Sequence, residues 1–508
     1  MTRKLRTAEA DTPLMLAVFA GSLVLCAPFR RYIPWIGDEG ILLRGATEIL
    51  SGRALYRDVF EFHPPGGFLV TAAWLKLVGF WVPSIRALVF LITAAIATLT
   101  FRCCRAIGVS RWTSAALPLA WVMASEGFLT QVNHHLMTTA LSLAAMLAVL
   151  APPTVKSALA AGLAAGAAGM VTPTRGLLTA LACMVLPLRR SGWLAFGAGL
   201  IVVPLACLAF VISRHAASAA FEDVIFWPAR HYAGVQAVPY GTGSDPRSQL
   251  FVIALPLALG LAILSFIRTR SLFGEPRWRT GAGFAVAALV GAYPRPDAAH
   301  ILLTIPLALP LLGLALEHAT RQWPRLVQAA ALALVAVFAL APAIEDYASM
   351  VRRTANLPVT VTPRGRGAFA EGDAGPLIAR VAEIPADQPI FFYPYMPLVP
   401  VLAGREHAAS VDVFVPSYTT PNQYSQACRQ ALARARWVVF DREWTDPHFL
   451  KLVFPKMDNP LPPERVAVER ALGAGFETVQ QVGRFDLMRR RAGGDANAAR
   501  FCPAPVGG

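Results

Sequence analysis

Long apolar runs recur from Pro13 to Leu340, each parted from the next by a polar loop. Inside a bilayer the backbone finds no water to bond to, so such runs must satisfy their own hydrogen bonds as helices. The segments Pro13 to Phe29, Ser84 to Phe101, Thr113 to Ala124, Leu136 to Leu150, Ser157 to Val171 and Leu177 to Leu188 read as spans. So do Trp193 to Ile212, Leu250 to Ile267, Gly281 to Tyr293, Ile301 to Leu316 and Leu326 to Leu340. They predict about eleven transmembrane helices, several of which must extend into polar flanks to reach the roughly 20 residues a bilayer needs. With 55% hydrophobic and 15% charged residues over 508 positions, the composition excludes a soluble enzyme of this length.

The formal charge of +15 comes from arginines spread through the loops without a basic face, which argues for membrane topology and against nucleic acid as a partner. With Arg3, Lys4 and Arg6 in the cytoplasm, alternate loops carry Arg102, Arg105 and Arg111; Lys156; Arg189 and Arg190; Arg268, Arg270, Arg277 and Arg279; and Arg321 and Arg325. This positive-inside pattern predicts an N-terminus in the cytoplasm and a C-terminal part on the outer side of the membrane. No small-residue cleavage site precedes the first span, so it reads as a retained helix. Gly66 to Val82 is apolar but carries Lys76, and counting it as a span would invert every later loop. It therefore reads as a helix in the outer interface, with Trp74 and Trp81 at headgroup level. The seven cysteines show no metal spacing and suggest neither a disulfide framework nor a zinc site.

Beyond Ala341 the composition turns mixed. Pro389 to Tyr395 and Arg436 to Phe440 read as strands, Gln423 to Ala435 as a helix, and Val479 to Met488 as a closing strand or hairpin edge. The expected fold class is a polytopic α-helical membrane protein with a small soluble α/β domain at its C-terminus. A transmembrane domain would cover residues 1–343, with its first outer loop at 30–83, followed by an extracytoplasmic domain at 344–490 and a disordered Gly/Ala-rich tail at 491–508.

The outward-facing loops collect the specific polar residues. They hold Asp38, Glu39, Glu61 and His63; Glu126, Gln131, Asn133, His134 and His135; the Thr172 to Arg175 turn; the segment Arg214 to Gln249; and Tyr-Pro-Arg-Pro-Asp-Ala-Ala-His at 293–300. Ionisable groups gathered at one membrane face mark a site built from several helix ends. Transporters place such groups near the midplane of internal repeats, which are not apparent here. A flippase for a lipid-linked sugar is the rival class, and a non-catalytic member of a cell-envelope assembly is a third reading.

The first outer loop runs Gly-Asp-Glu-Gly at 37–40, then Gly52 to Asp58, then His63-Pro64-Pro65. It resembles the first loop of the GT-C superfamily of integral membrane glycosyltransferases, which includes protein O-mannosyltransferases, aminoarabinose transferases of lipid A and RgtA/B/C/D-like bacterial enzymes. The resemblance implies transfer of a sugar from a polyprenyl-phosphate donor to a hydroxyl on a lipid or glycan acceptor. An attacking hydroxyl must lose its proton, and a fixed carboxylate is the natural base, a role given to Asp38 with Glu39 in support. The leaving phosphate needs cations nearby.

His63 stands where the family has lysine, and imidazole is only partly charged at neutral pH, so Arg175 and Arg295 are candidates for that load. Arg175 can equally be a snorkelling helix-end arginine. In the family the second loop carries a polar residue facing the cavity, a place that His134 or His135 can take, although both can also pack at a helix end. Adjacent histidines on a helix point about 100° apart and are weak evidence for zinc. A divalent ion is left open. Bacterial members carry a similar Arg-Pro-Asp-x-x-His stretch, in which Asp297 would cap a helix while Arg295 and His300 face the site. The C-terminal domain is expected to recognise acceptor rather than hold catalysis.

Overall fold

The computed structural model describes residues 2–185, 189–493 and 498–504. Helix α1 (Thr2–Cys26) leads into a short strand β1 (Tyr32–Ile33), α2 (Glu39–Leu50) and α3 (Pro65–Val78). Then follow α4 (Val82–Ile107), α5 (Arg111–Ser125), α6 (His134–Leu150), α7 (Val155–Gly169), α8 (Pro173–Cys183) and α9 (Arg190–Ser213). Three short helices, α10 (Ala217–Phe221), α11 (Trp227–His231) and α12 (Ala233–Gln236), precede α13 (Pro246–Arg268), α14 (Pro276–Gly291), α15 (Ala298–Thr304), α16 (Leu309–Thr320) and α17 (Arg325–Ala355).

Each apolar segment read from the sequence falls mainly on one of these helices, except that Ile301 to Leu316 is divided between two and positions 186–188 of the run ending at Leu188 lie outside the described residues. Among the described residues, four stretches, Asp11–Phe29, Val82–Ile107, Arg190–Ser213 and Ser248–Arg268, are long and apolar enough to cross a membrane by length and composition. The α15/α16 pair makes a fifth when counted as one span. Here the sequence reading needs correction. Ile301 to Leu316 is not one straight helix but bends by 68° at Ala308, just after a turn at Ile305–Leu307. Pro306 lacks the N–H that a continuing helix needs. The apolar stretch after His63 forms α3, which stops at Gly79 before α4 begins.

Helix α17 runs through the expected 343/344 boundary. After it come the hairpin strands β2 (Val359–Thr362) and β3 (Gly365–Phe369), then α18 (Ala374–Glu383), β4 (Ile390–Tyr393) and α19 (Leu398–Ala403). The chain continues through α20 (Pro421–Arg434), β5 (Trp437–Asp441), α21 (Pro447–Val453), α22 (Pro463–Gly475), β6 (Phe476–Val482) and β7 (Phe485–Arg490). A four-stranded sheet has the order β4-β5-β7-β6, with β4 and β5 parallel and the rest antiparallel.

The stretch between α1 and α4 is built into this C-terminal part. Strand β1 pairs in parallel with β3, Tyr32 opposite Ala368 and Ile33 opposite Phe369. Helix α2 lies against α19, with Leu398 N–H donating to the Ile36 carbonyl at 3.1 Å. A Cβ on Gly40 would come within 2.1 Å of the Leu398 nitrogen, so glycine is what allows the approach.

One expectation about the end of the chain is overturned. Cys428 on α20 is disulfide-bonded to Cys502, with Cα atoms 5.7 Å apart, so the chain does carry a disulfide. The bridge accompanies contacts of residues 498–504 with α20, where Ser425 Oγ donates to the Pro503 carbonyl at 2.6 Å, and Ala498 is buried. A Gly/Ala-rich composition does not register a covalent tether.

Candidate active site

A cavity of about 520 Å³ opens between the first outer loop, the α5–α6 and α14–α15 connections, α12 and the C-terminal domain. That volume falls within the roughly 300–1,000 Å³ of pockets that hold ligands of moderate size. Asp38, His63, His134, His135, Arg295 and His300 all line it. Glu39 and Arg175 do not.

Asp38 and Glu39 separate because successive residues at a helix start project about 100° apart. The Asp38 carboxylate is open to the cavity and accepts a hydrogen bond from the Tyr395 hydroxyl. Asp38 is exposed at the cavity surface, yet protein atoms crowd it at longer range and limit its hydration. Burial therefore raises the Asp38 pKa, while Tyr395, His300, His63 and Arg295 pull it back. Burial also pushes the Tyr395 hydroxyl well above its ordinary range, so it stays a donor. Glu39 turns into a dry socket, only 1% exposed, where it pairs with Arg86 of α4 and accepts from Val132 N–H at 2.7 Å. Arg86 also donates to the Thr130 carbonyl. The pair ties α2 to α4 and to the loop before α6.

The histidines form a row along the wall. Ring centroids are 4.3 Å apart for His63 and His134, 3.9 Å for His134 and His135, and 5.2 Å for His135 and His300. The local sequence explains each placement. Tyr56 in the Gly52 to Asp58 turn donates to the His63 carbonyl at 2.9 Å, and His63 Nδ1 lies 3.1 Å from Glu61 Oε2. Asn133 caps α6 by accepting from His135 N–H at 2.7 Å, which brings both neighbouring histidines to the cavity at the helix's first turn. Asp297 caps α15, accepting from His300 N–H at 3.0 Å and standing 2.7 Å from His300 Nδ1.

Arg295 is gripped from three sides: Nε donates to Asp297 at 2.8 Å, one terminal nitrogen to Gln236 at 3.2 Å and the other to the Val453 carbonyl at 3.1 Å. Burial would raise the Asp297 pKa, but His300 and Arg295 outweigh it and the net shift is downward. Arg175 instead donates through Nε to the Gly291 carbonyl at 2.9 Å at the end of α14. Arg175 is not among the residues that line the cavity, although it lies within electrostatic reach of His134 and His135. Among the described residues, no group of three or more His, Cys, Asp and Glu side chains is arranged to hold a metal ion, and no step below is routed through one.

The sequence reading missed the C-terminal share of this wall. Tyr395, Tyr418, Trp444 and Phe454 all face the cavity. Trp35, whose Nε1 donates to Gln131 at 3.1 Å, stacks on Trp444 with ring centroids 6.1 Å apart. Phe62 packs on Trp227 at 4.8 Å, and Trp227 on Tyr418 at 4.7 Å. The C-terminal domain thus holds Asp38 directly. Arg86 did have a signal, a charge inside an apolar run.

No protein-family model and no curated protein matches this sequence. Solved structures do. The crystal structure of ArnT from Cupriavidus metallidurans bound to undecaprenyl phosphate matches with a TM-score of 0.54 and 14% identity, covering 96% of this chain and 98% of that one. The apo Archaeoglobus fulgidus oligosaccharyltransferase matches at 0.53 and 11% identity, covering 87% of this chain and 72% of that one. The chain has the GT-C fold. Arabinofuranosyltransferase AftD from Mycobacteria matches at 0.54 and 16% identity over 94% of this chain, which spans only 40% of AftD. The GT-C resemblance of the first loop and the GT-C architecture of the whole chain therefore agree.

Proposed function

We propose that this protein is an integral membrane glycosyltransferase of the bacterial cytoplasmic membrane, moving a sugar from a polyprenyl-phosphate-linked donor to a hydroxyl on a lipid- or glycan-borne acceptor at the outer face. The observation that carries this reading is the Asp38 carboxylate, which faces a cavity that also holds four imidazoles and the Arg295 guanidinium and has no ion-pair partner among the described residues, unlike Asp297 in the same wall, which is held by Arg295 and His300. A GT-C neighbour captured with undecaprenyl phosphate supports a lipid-phosphate donor. The Cys428–Cys502 disulfide fits an oxidising compartment, as expected of an extracytoplasmic C-terminal domain.

In this mechanism the acceptor oxygen attacks the anomeric carbon as its proton passes to Asp38. The bond from that carbon to the phosphate oxygen breaks on the opposite face, and polyprenyl phosphate leaves with the electron pair. Direct displacement inverts the anomeric centre. The raised Asp38 pKa brings the base closer to working pH, where proton transfer is most effective. Arg295, His300 and His63 sit where negative charge on the departing phosphate can be stabilised. Tyr395 acts as a positioning residue for Asp38, and Glu39 acts by fixing α2.

The test is a transfer assay on the purified full chain with a polyprenyl-phosphate sugar and a hydroxyl acceptor, reading released polyprenyl phosphate. Release that depends on acceptor is the expected result. Movement of intact lipid-linked sugar between leaflets without release would instead identify a flippase.

A further inference from the structure

A second, smaller cavity of about 230 Å³ lies on another face of α2. Where Asp38, Ile41 and Leu42 face the large cavity, Arg44, Thr47 and Glu48 face this one. Its remaining wall includes Phe80 from the α3–α4 turn, Arg364 from the β2–β3 turn, and Arg405 just after α19.

The charges here are unevenly matched. Arg44 is met by Asp412 at 2.6 Å, Glu48 by Arg53 at 3.2 Å, and Glu406 by Arg434 at 2.5 Å. Arg364 and Arg405 have no carboxylate partner among the described residues. The Nε of each is buried without a hydrogen-bond acceptor. Arg364 rests over the Phe80 ring at 4.2 Å, and Arg405 meets only the Gly404 and Ala382 carbonyls. Burial lowers the Arg364 pKa, as expected of a guanidinium with no anion beside it. Two half-buried guanidiniums in one cavity, each with a buried Nε–H that lacks an acceptor, call for an oxyanion.

Position in the fold narrows the source. The Arg364 carbonyl accepts from Val82 N–H at 2.8 Å, so the β2–β3 turn is fastened to the first residue of α4, a helix long and apolar enough to cross a membrane. Beside it Leu77, Val78 and Trp81 are exposed apolar side chains. The cavity is smaller than the roughly 300 Å³ lower bound for drug-sized ligands, which fits a headgroup rather than a glycan. We propose that Arg364 and Arg405 form a binding site for the phosphate of an anionic lipid headgroup at the membrane surface, separate from the Asp38 cavity.

The experiment uses the purified full chain in neutral detergent, titrated with phosphatidylglycerol, phosphatidylcholine or inorganic phosphate. Bound lipid is counted by native mass spectrometry and the melting temperature is followed in parallel. Phosphatidylglycerol should bind and raise the melting temperature, phosphatidylcholine should not, and R364Q or R405Q should each weaken binding by about tenfold, the size of one charge-assisted contact. R366Q, on the exposed part of the same hairpin, should bind as the wild type does. Comparable stabilisation by inorganic phosphate, lost in R364Q, would retain the phosphate site and assign it to free anion. Equal binding of phosphatidylglycerol by wild type and R364Q overturns the proposal. R364Q decides alone if R405Q fails to fold, because the Arg364 side chain stacks on a ring and holds no backbone carbonyl.

Discussion

Asp38 and Glu39 are adjacent carboxylates at the same helix start, yet one faces a ligand-sized cavity and the other a packed socket. Asp38 has an accessible carboxylate and a neutral partner, the Tyr395 hydroxyl. Glu39 has a charged partner, Arg86, together with a backbone N–H, and almost no exposure. A carboxylate neutralised by arginine in a dry socket serves as a structural clamp, whereas one that faces a cavity with no ion-pair partner is suited to the role of base proposed for it. An acidic pair in a sequence therefore does not mean two residues sharing one task; the partners they find across the fold divide the work.

The largest expected effect is on the cavity side. Asp38→Asn should lower the transfer rate by about 10²–10⁴-fold, the usual contribution of a general base, with little change in melting temperature. Retention of rate would break the comparison at once. On the socket side, Glu39→Gln should cost about 3 kcal/mol of stability because Arg86 is left as an uncompensated buried charge, and Arg86→Met in the same chain should recover part of it. Loss of transfer in Glu39→Gln at unchanged melting temperature would put Glu39 in the chemistry instead. A smaller change, remote from both, sharpens the contrast. Cys428→Ser should destabilise the C-terminal domain by about 2–4 kcal/mol, since the bridge closes a separation of 74 positions. Reductant should reproduce that shift in wild type and leave Cys428→Ser unchanged.

Much of the cavity side could be read from the chain because charge is scarce there. Asp38, His63, His134, His135, Arg295 and His300 stood out against hydrocarbon, and the turn chemistry around Asn133 and Asp297 fixed where two of their helices begin. The Glu39 socket was harder, since Arg86 lies 47 positions away inside an apolar run that reads as an ordinary span. Tyr395 could not be inferred. It sits 357 positions from Asp38, beside the short strand β4, and a hydrogen bond across that separation leaves no periodicity or motif. The disulfide escaped for a related reason, because neither cysteine belongs to a spacing pattern. Local rules read capping and turns, while pairing between distant segments is settled only by the fold.

The pH dependence of single-turnover transfer, compared between wild type and Tyr395→Phe, tests most directly whether Asp38 is the base. Transfer needs the ionised carboxylate, so the rate must fall as pH drops through the Asp38 pKa, and burial places that fall above the ordinary carboxylate range. The Tyr395 hydroxyl stabilises the charged form, so removing it should raise the pKa and move the acid limb upward by about one unit, a free energy near 1.4 kcal/mol. An acid limb that stays in place when Tyr395 is changed, at unaltered melting temperature, would contradict the assignment of Asp38 as the base.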